Sequence, residues 1–230
     1  MYQLSVLFED NHIIAINKRC GDIVQGDKSG DKTLGDDVKD YIKEQYHKPG
    51  SVFLGVTHRL DRPTSGAVLF ARTSKALTRL NELFKEERAI HKTYWAVVDK
   101  KPDPLNGHLD HWLVRDTRQN KSFAFPNERK DSKRASLTYR YLGSSDKFHL
   151  IEIELHTGRH HQIRAQLAAI GLHIKGDLKY GFSRSNSDGG IHLHARKIEF
   201  VHPVTTNPLT IIAPPPDDPV WNYFVRMIEG

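Results

Sequence analysis

The sequence is poor in sulfur and has no long apolar runs. Its one cysteine, Cys20, excludes an internal disulfide and fits a reducing compartment. No hydrophobic stretch approaches the roughly 20 residues that a membrane-spanning helix needs. The first residues carry no basic leader: Glu9 and Asp10 interrupt the apolar pattern of Met1 to Lys18, which reads as a strand pair of the mature fold and not as a signal peptide. Internal repeats are missing too. The expectation is a cytoplasmic protein with no membrane partner.

What is present is a globular composition. With 38% hydrophobic and 27% charged residues in 230, the chain is long enough to bury a core. One domain over 1–230 is expected, and a monomer without an obligate protein partner. The formal charge of +6 favours a polyanionic partner.

The stretch around which the chain is organised is His58-Arg59-Leu60-Asp61-Arg62-Pro63-Thr64-Ser65-Gly66. A β-rich run, Ser51 to Thr57, leads in, and another, Ala67 to Ala71, leads away. The turn formers from Pro63 to Gly66 sit between them. A carboxylate on such a turn is held by strand ends while its oxygens face outward, which presents a nucleophile or a base. A salt-bridged turn with no chemistry fits these nine residues equally well.

His58-Arg59-Leu60-Asp61 followed by Thr64-Ser65-Gly66 resembles the HRLD-x-x-TSG signature of the RluA-type pseudouridine synthases. The resemblance extends along the chain: Lys92-Thr93-Tyr94-Trp95-Ala96-Val97-Val98, Thr157-Gly158-Arg159-His160-His161-Gln162-Ile163-Arg164, Gly176-Asp177 with Tyr180-Gly181, and Leu193-His194-Ala195 with His202-Pro203. It departs from the family at Arg19, where a proline usually follows the lysine, at Gln166 and at Thr206.

The resemblance implies an α+β fold, with a long mixed, mostly antiparallel central sheet flanked by helices and an active-site cleft across it. It implies isomerisation of uridine to pseudouridine in structured RNA, rRNA or tRNA, with no cofactor and no metal. Since many relatives carry a small RNA-binding domain ahead of the catalytic one, the expectation here is a catalytic domain with no separate N-terminal RNA-binding domain. Asp61 becomes the catalytic carboxylate. Tyr94 stacks on the uracil, and Arg164 is the cation that keeps the carboxylate charged and oriented. Arg59 fills the space left by the flipped nucleotide, Arg62 meets phosphate, and His58 and Thr64 support the turn.

The remaining elements follow from periodicity. Thr33 and Asp36 form a capping box ahead of Leu34, Val38, Ile42 and Tyr46 at helical spacing. Gly26 to Gly30 reads as a polar loop. Ser74 is expected to cap a second helix with Leu77, Leu80 and Phe84 inward and Lys75, Arg79, Lys85 and Arg88 outside the stripe. Ile90 to Val98 is a strand, whereas Lys100 to Ala135 looks irregular. Ser136 to Gly143 and Phe148 to Leu155 form an antiparallel pair. Further helices are expected with Ile163, Leu167 and Ile170 inward, and with Val220, Phe224 and Ile228 inward behind Asp218-Pro219. From Arg115 to Arg134 seven basic residues outnumber three acidic ones, an excess of four, with Phe123 and Phe125 between them. That mixture suits a strand-loop that follows phosphates and stacks on bases, and a solvated surface hairpin with its phenylalanines inward fits the aromatics equally well; Lys130, Lys133 and Arg134 are assigned to RNA.

Two rival readings are a metal-dependent hydrolase built on His160, His161, His192 and His194 and a catalytically silent RNA-binding module. The second has no need of Asp61, Tyr94 and Arg164 together.

Overall fold

The computed structural model describes residues 4–26, 30–86 and 89–230. Arg88 and the middle of the Gly26–Gly30 loop lie outside the described residues. The fold is α+β, a mixed, mostly antiparallel sheet with four α-helices among the described residues. The chain divides into two compact units, Met1–Ile90 with Ala195–Pro214, and His91–His194 with Pro215–Gly230.

In the first unit, β1 (Val6–Glu9) and β2 (Ile13–Lys18) form a hairpin. Its turn is held by Asp10, whose Oδ1 accepts from the amides of His12 at 2.7 Å and Ile13 at 2.8 Å, as a short polar side chain does in place of a backbone acceptor. Strand β2 runs antiparallel to β4 (Ser65–Ala71), from Ile13 opposite Ala71 to Lys18 opposite Gly66. All seven residues of β4 are buried, so the strand reads as a continuous apolar run because both its faces are covered. Ala67, Leu69 and Ala71 share a cluster with Ala76 and Leu80 of α2 (Ser74–Lys85) and with Ile198 and Phe200 of β10 (Leu193–Val201). Strand β11 (Pro208–Ile212) pairs with β10. The Ser51–Thr57 run is extended strand only at β3 (Gly55–Val56), because the residues before it are exposed or half-buried and find no ladder.

Helix α1 (Leu34–Gln45) opens with the expected capping box: Thr33 Oγ1 accepts from the Asp36 amide at 3.1 Å, and Asp36 Oδ2 accepts from the Thr33 amide at 3.2 Å. Helix α2 is capped one residue earlier than expected. Thr73 has extended backbone, and its hydroxyl accepts from the Ala76 amide at 3.2 Å, while Ser74 is already helical.

The second unit orders its strands β5-β9-β8-β6-β7: β5 (Ile90–Val98, of which Ile90 belongs to the first unit), β9 (His149–Leu155), β8 (Lys133–Ser144), β6 (Asn106–Asp116) and β7 (Lys121–Phe125), each antiparallel to its neighbours. The stretch expected to be irregular, Lys100 to Ala135, is thus largely β6 and β7 and the start of β8. Much of this hairpin is exposed, so its outward positions carry charges and hide the period-two pattern.

Helix α3 (Gln162–Ala169) is buried over Gln162–Leu167, polar residues included, so no single apolar stripe defines it. Ile170, expected inside, is 39% exposed at the helix end. In α4 (Pro219–Glu229), Trp221 and Phe224 face Trp95, Val97 and Leu150. Of the expected stripe, Phe224 is buried and Val220 packs partly buried against the same cluster, whereas Ile228 is 40% exposed.

Replacing Thr33 by alanine removes the capping bonds of α1. The expected cost is about 1 kcal/mol, read as a lower urea midpoint at unchanged slope.

Candidate active site

In the first unit, Asp61 is half-buried on the segment that joins β3 to β4. Side chains continue the ladder where β3 stops. The Thr57 hydroxyl donates to the Leu69 carbonyl at 2.6 Å, and the Leu69 amide donates to His58 Nε2 at 3.0 Å. The imidazole of His58 is stacked on Phe84 with centroids 4.8 Å apart. An accepting Nε2 requires the tautomer with its proton on Nδ1. Beyond Asp61 the chain turns at once, with the Thr64 amide donating to the Asp61 carbonyl at 3.0 Å.

The turn closes on Lys18. Its ammonium donates to the carbonyls of Thr64 at 2.7 Å, Arg19 at 2.9 Å and Arg62 at 3.1 Å, and the side chain is 1% exposed. Burial pushes this ammonium down to about 8, against the opposing pull of Asp22, Cys20 and Asp61. Gly66 follows at φ +116°, where a Cβ would stand 2.4 Å from the Ala195 carbonyl oxygen. Only glycine permits that approach. Arg59 is exposed, and Arg62, also exposed, lies 3.7 Å from Asp31.

In the second unit, Tyr94 is 8% exposed and lies opposite Ile153 on β9. Lys92, two residues earlier on the same face of β5, has its ammonium lowered by burial. Arg164 projects from the first turn of α3 and is held by Asp177, with Nε to Oδ2 at 2.6 Å and Nη2 to Oδ1 at 2.8 Å. Its guanidinium also lies over the Tyr180 ring, 4.9 Å from the centroid. The Tyr180 hydroxyl meets His161 Nδ1 at 3.0 Å and accepts from the Ser122 amide at 2.8 Å. Burial first, then the positive charges of Arg164 and His160, push the His161 imidazole down to about 2. His161 enters the helix in the left-handed region, at φ 52°.

The basic segment spreads over the β6–β7 hairpin and the start of β8. Lys130 and Lys133 are exposed, Arg129 lies 4.0 Å from the centroid of Phe125, and Phe123 is 37% exposed. Arg134 is different. It forms a two-pronged pair with Asp110, Nε to Oδ1 at 3.0 Å and Nη2 to Oδ2 at 2.7 Å, which its guanidinium holds below the usual carboxylate range. Asp110 lies outside the counted window and reaches Arg134 through the β6–β8 register.

The histidines weighed as metal ligands have other partners. His160 meets Ser122 at 2.9 Å, and His192 has Asn186 and Asp218 at 2.9 Å each. Among the described residues no group of three or more His, Cys, Asp and Glu is placed to hold a metal ion, and no helix is long and apolar enough to cross a membrane.

Sequence reasoning gave no role to Lys18, Asp177 or Tyr180. The signal for Lys18 was a lysine closing the apolar run Ile13 to Asn17, a position that β pairing buries. Converting Asp177 to asparagine removes the charge that faces Arg164, and a loss of about 3 kcal/mol in unfolding free energy is expected. A change below about 0.5 kcal/mol would show that the pair does not hold α3.

The family model for RNA pseudouridylate synthase matches residues 12–169, a span that includes Lys18, Asp61, Tyr94 and Arg164. Ribosomal large subunit pseudouridine synthase D of Zymomonas mobilis is 31% identical over 99% of this chain and 74% of its own length. tRNA pseudouridine synthase C of Salmonella typhimurium is 34% identical over 91% of this chain and 85% of its own. Among solved structures, Human RNA Pseudouridylate Synthase Domain Containing 4 superposes with a TM-score of 0.78 at 23% identity, covering 98% of this chain and 93% of that one. Human RNA Pseudouridylate Synthase Domain Containing 1 gives 0.71 at 22%, over 96% and 87%. These two likenesses establish the fold. Over most of its length, therefore, this chain belongs to the RNA pseudouridylate synthase family and is an RNA pseudouridine synthase, an isomerase.

Proposed function

We propose that Asp61 is the carboxylate that drives the isomerisation, and that the substrate is a specific uridine in ribosomal or transfer RNA. The observation that supports this most is the family match across residues 12–169, which takes in an aspartate whose loop is tied on both sides, by His58 and Thr57 before it and by Lys18 after it. A rigidly presented carboxylate suits the reaction. The bond between ribose carbon 1′ and uracil nitrogen 1 breaks, the base turns, and carbon 5 bonds to carbon 1′. The proton on carbon 5 leaves and nitrogen 1 gains one, so substrate and product are isomers. Asp61 acts beside the sugar as nucleophile or base.

Tyr94 stacks on the uracil with its largely buried ring, and Arg164 supplies fixed positive charge. Arg59 and Arg62, exposed on the Asp61 segment, meet the RNA around the extruded nucleotide, whose unstacking costs a few kcal/mol. His58 and Thr64 support the turn. Lys130 and Lys133 follow phosphates, with Arg134 contributing less because Asp110 neutralises it. The protein works as a cytoplasmic monomer on one domain, without a cofactor.

Site-by-site mapping of pseudouridine in total RNA from cells with and without this protein identifies the target. A position lost with the gene and restored by the wild-type chain, but not by Asp61→Asn, is the expected result. In vitro, Asp61→Asn should lower turnover by about 10⁴-fold or more with RNA affinity held within about threefold. Wild-type turnover by Asp61→Asn would overturn the assignment. Replacing Lys130 and Lys133 by glutamine should flatten the dependence of log affinity on log salt by about 0.9 per lysine on duplex RNA, and an unchanged slope would move the RNA path elsewhere.

A further inference from the structure

Charged side chains in folded proteins rarely become wholly buried, and lysine is among the least often buried. Lys18 is 1% exposed, and nothing in the chemistry of uridine isomerisation calls for it at its position on β2. Its surroundings supply the reason. An ammonium has three protons to donate, and three carbonyl oxygens receive them, those of Arg19, Arg62 and Thr64. Two of the three belong to the residues one and three places after Asp61. The same turn is closed by the Gly21 amide on the Arg62 carbonyl at 2.9 Å and by the Thr64 amide on the Asp61 carbonyl at 3.0 Å. The route from Asp61 into β4 is therefore held by one cation together with two backbone bonds.

We propose that Lys18 is a positioning residue for the reaction: its charged ammonium, by donating to the carbonyls of Arg62 and Thr64, sets where the Asp61 carboxylate stands relative to strand β4. The proposal rests on Asp61 being the reacting carboxylate. A neutral amine has two protons for three acceptors, so deprotonation releases one carbonyl and loosens the turn. The groups that act on this ammonium are Asp22, Cys20 and Asp61, which favour its charge, and Arg62, which opposes it.

Position and stability then respond to pH in opposite directions. Burial lowers Lys18 from 10.5 to about 8. Between those two values the unfolded chain keeps a proton that the folded chain has released, so this group makes folding more favourable as pH rises. A lysine that served packing alone would cost no activity over that interval. A lysine that positions Asp61 would cost activity as the fold gained stability.

The test uses the full chain and a transcript carrying the mapped uridine with tritium on carbon 5, whose release marks bond formation. Single-turnover rates, RNA affinity by filter binding and melting temperature are measured from neutral pH to beyond the Lys18 value for the wild type, Lys18→Met, Lys18→Arg and Asp61→Asn. Lys18→Met is expected to slow the chemical step about a hundredfold with RNA affinity unchanged. The wild-type rate is expected to fall through about pH 8 while the melting temperature holds or rises. Lys18→Arg, charged throughout, should show no such fall. A Lys18→Met rate within about threefold of the wild type, or the same alkaline fall in that variant, overturns the proposal. If Lys18→Met does not fold, Lys18→Arg decides: the wild-type alkaline fall persisting in Lys18→Arg overturns the proposal, and its loss supports it. Asp61→Asn separates the two levels of the argument. An active Asp61→Asn overturns the catalytic assignment and the clamp with it, whereas an inactive one beside a fully active Lys18→Met overturns the clamp alone.

Discussion

Three carbonyl oxygens converge on one ammonium at the end of β2. Carbonyls that point together would repel one another and, buried, would each lack a donor, a cost of about 1–3 kcal/mol per group. The ammonium removes that cost for all three at once, and the carbonyls in turn replace the water it gives up. Lysine and turn therefore stabilise each other. The result is a loop whose shape is set by charge–dipole contacts within the first unit and does not wait for a ligand. Local burial then becomes presentation, because a carboxylate on a settled loop starts its chemistry with little reorganisation to undergo.

The second unit solves a similar problem with another cation. Arg164 is 5% exposed and Asp177 is 1% exposed, a pair that would be expensive to bury without good geometry. Here the contact is two-pronged, and the Tyr180 ring covers the guanidinium face. Tyr180 is itself tied to His161 and Ser122. The neutral state of His161 matters in this setting, since a second cation beside Arg164 would push it out of place. Polar residues thus make up much of the buried side of α3, which explains why its inward face resists a reading by apolar spacing.

Where one interaction type dominates over a short range, the sequence was sufficient. Thr33 and Asp36 read as a capping box, and Ile90 to Val98 as a strand, because caps and period-two alternation depend on neighbours along the chain. Where the partner is distant, it was not. The β6–β7 hairpin shows charges to solvent, which blurred its bounds in the sequence; its pairing with β8 only appears once the sheet is formed. Arg134 counted as free positive charge until Asp110, 24 residues away, came beside it. Ser74 rather than Thr73 looked like the cap of α2 because both are hydroxyl residues and only the backbone angles decide between them. The Asp61 signature was legible as a motif, yet the lysine that ties it down sits 43 positions earlier in the chain, beyond any local pattern.

The side chains that stand in for the missing rungs of β3 also tie the middle of strand β4 to the segment that carries Asp61. The Leu69 amide depends for its acceptor on a single imidazole nitrogen, His58 Nε2. Replacing His58 by a residue without that nitrogen would take the acceptor away from the amide. The middle of an otherwise fully covered strand would then lose its protection against hydrogen exchange at one amide, while the amides facing β2 kept theirs.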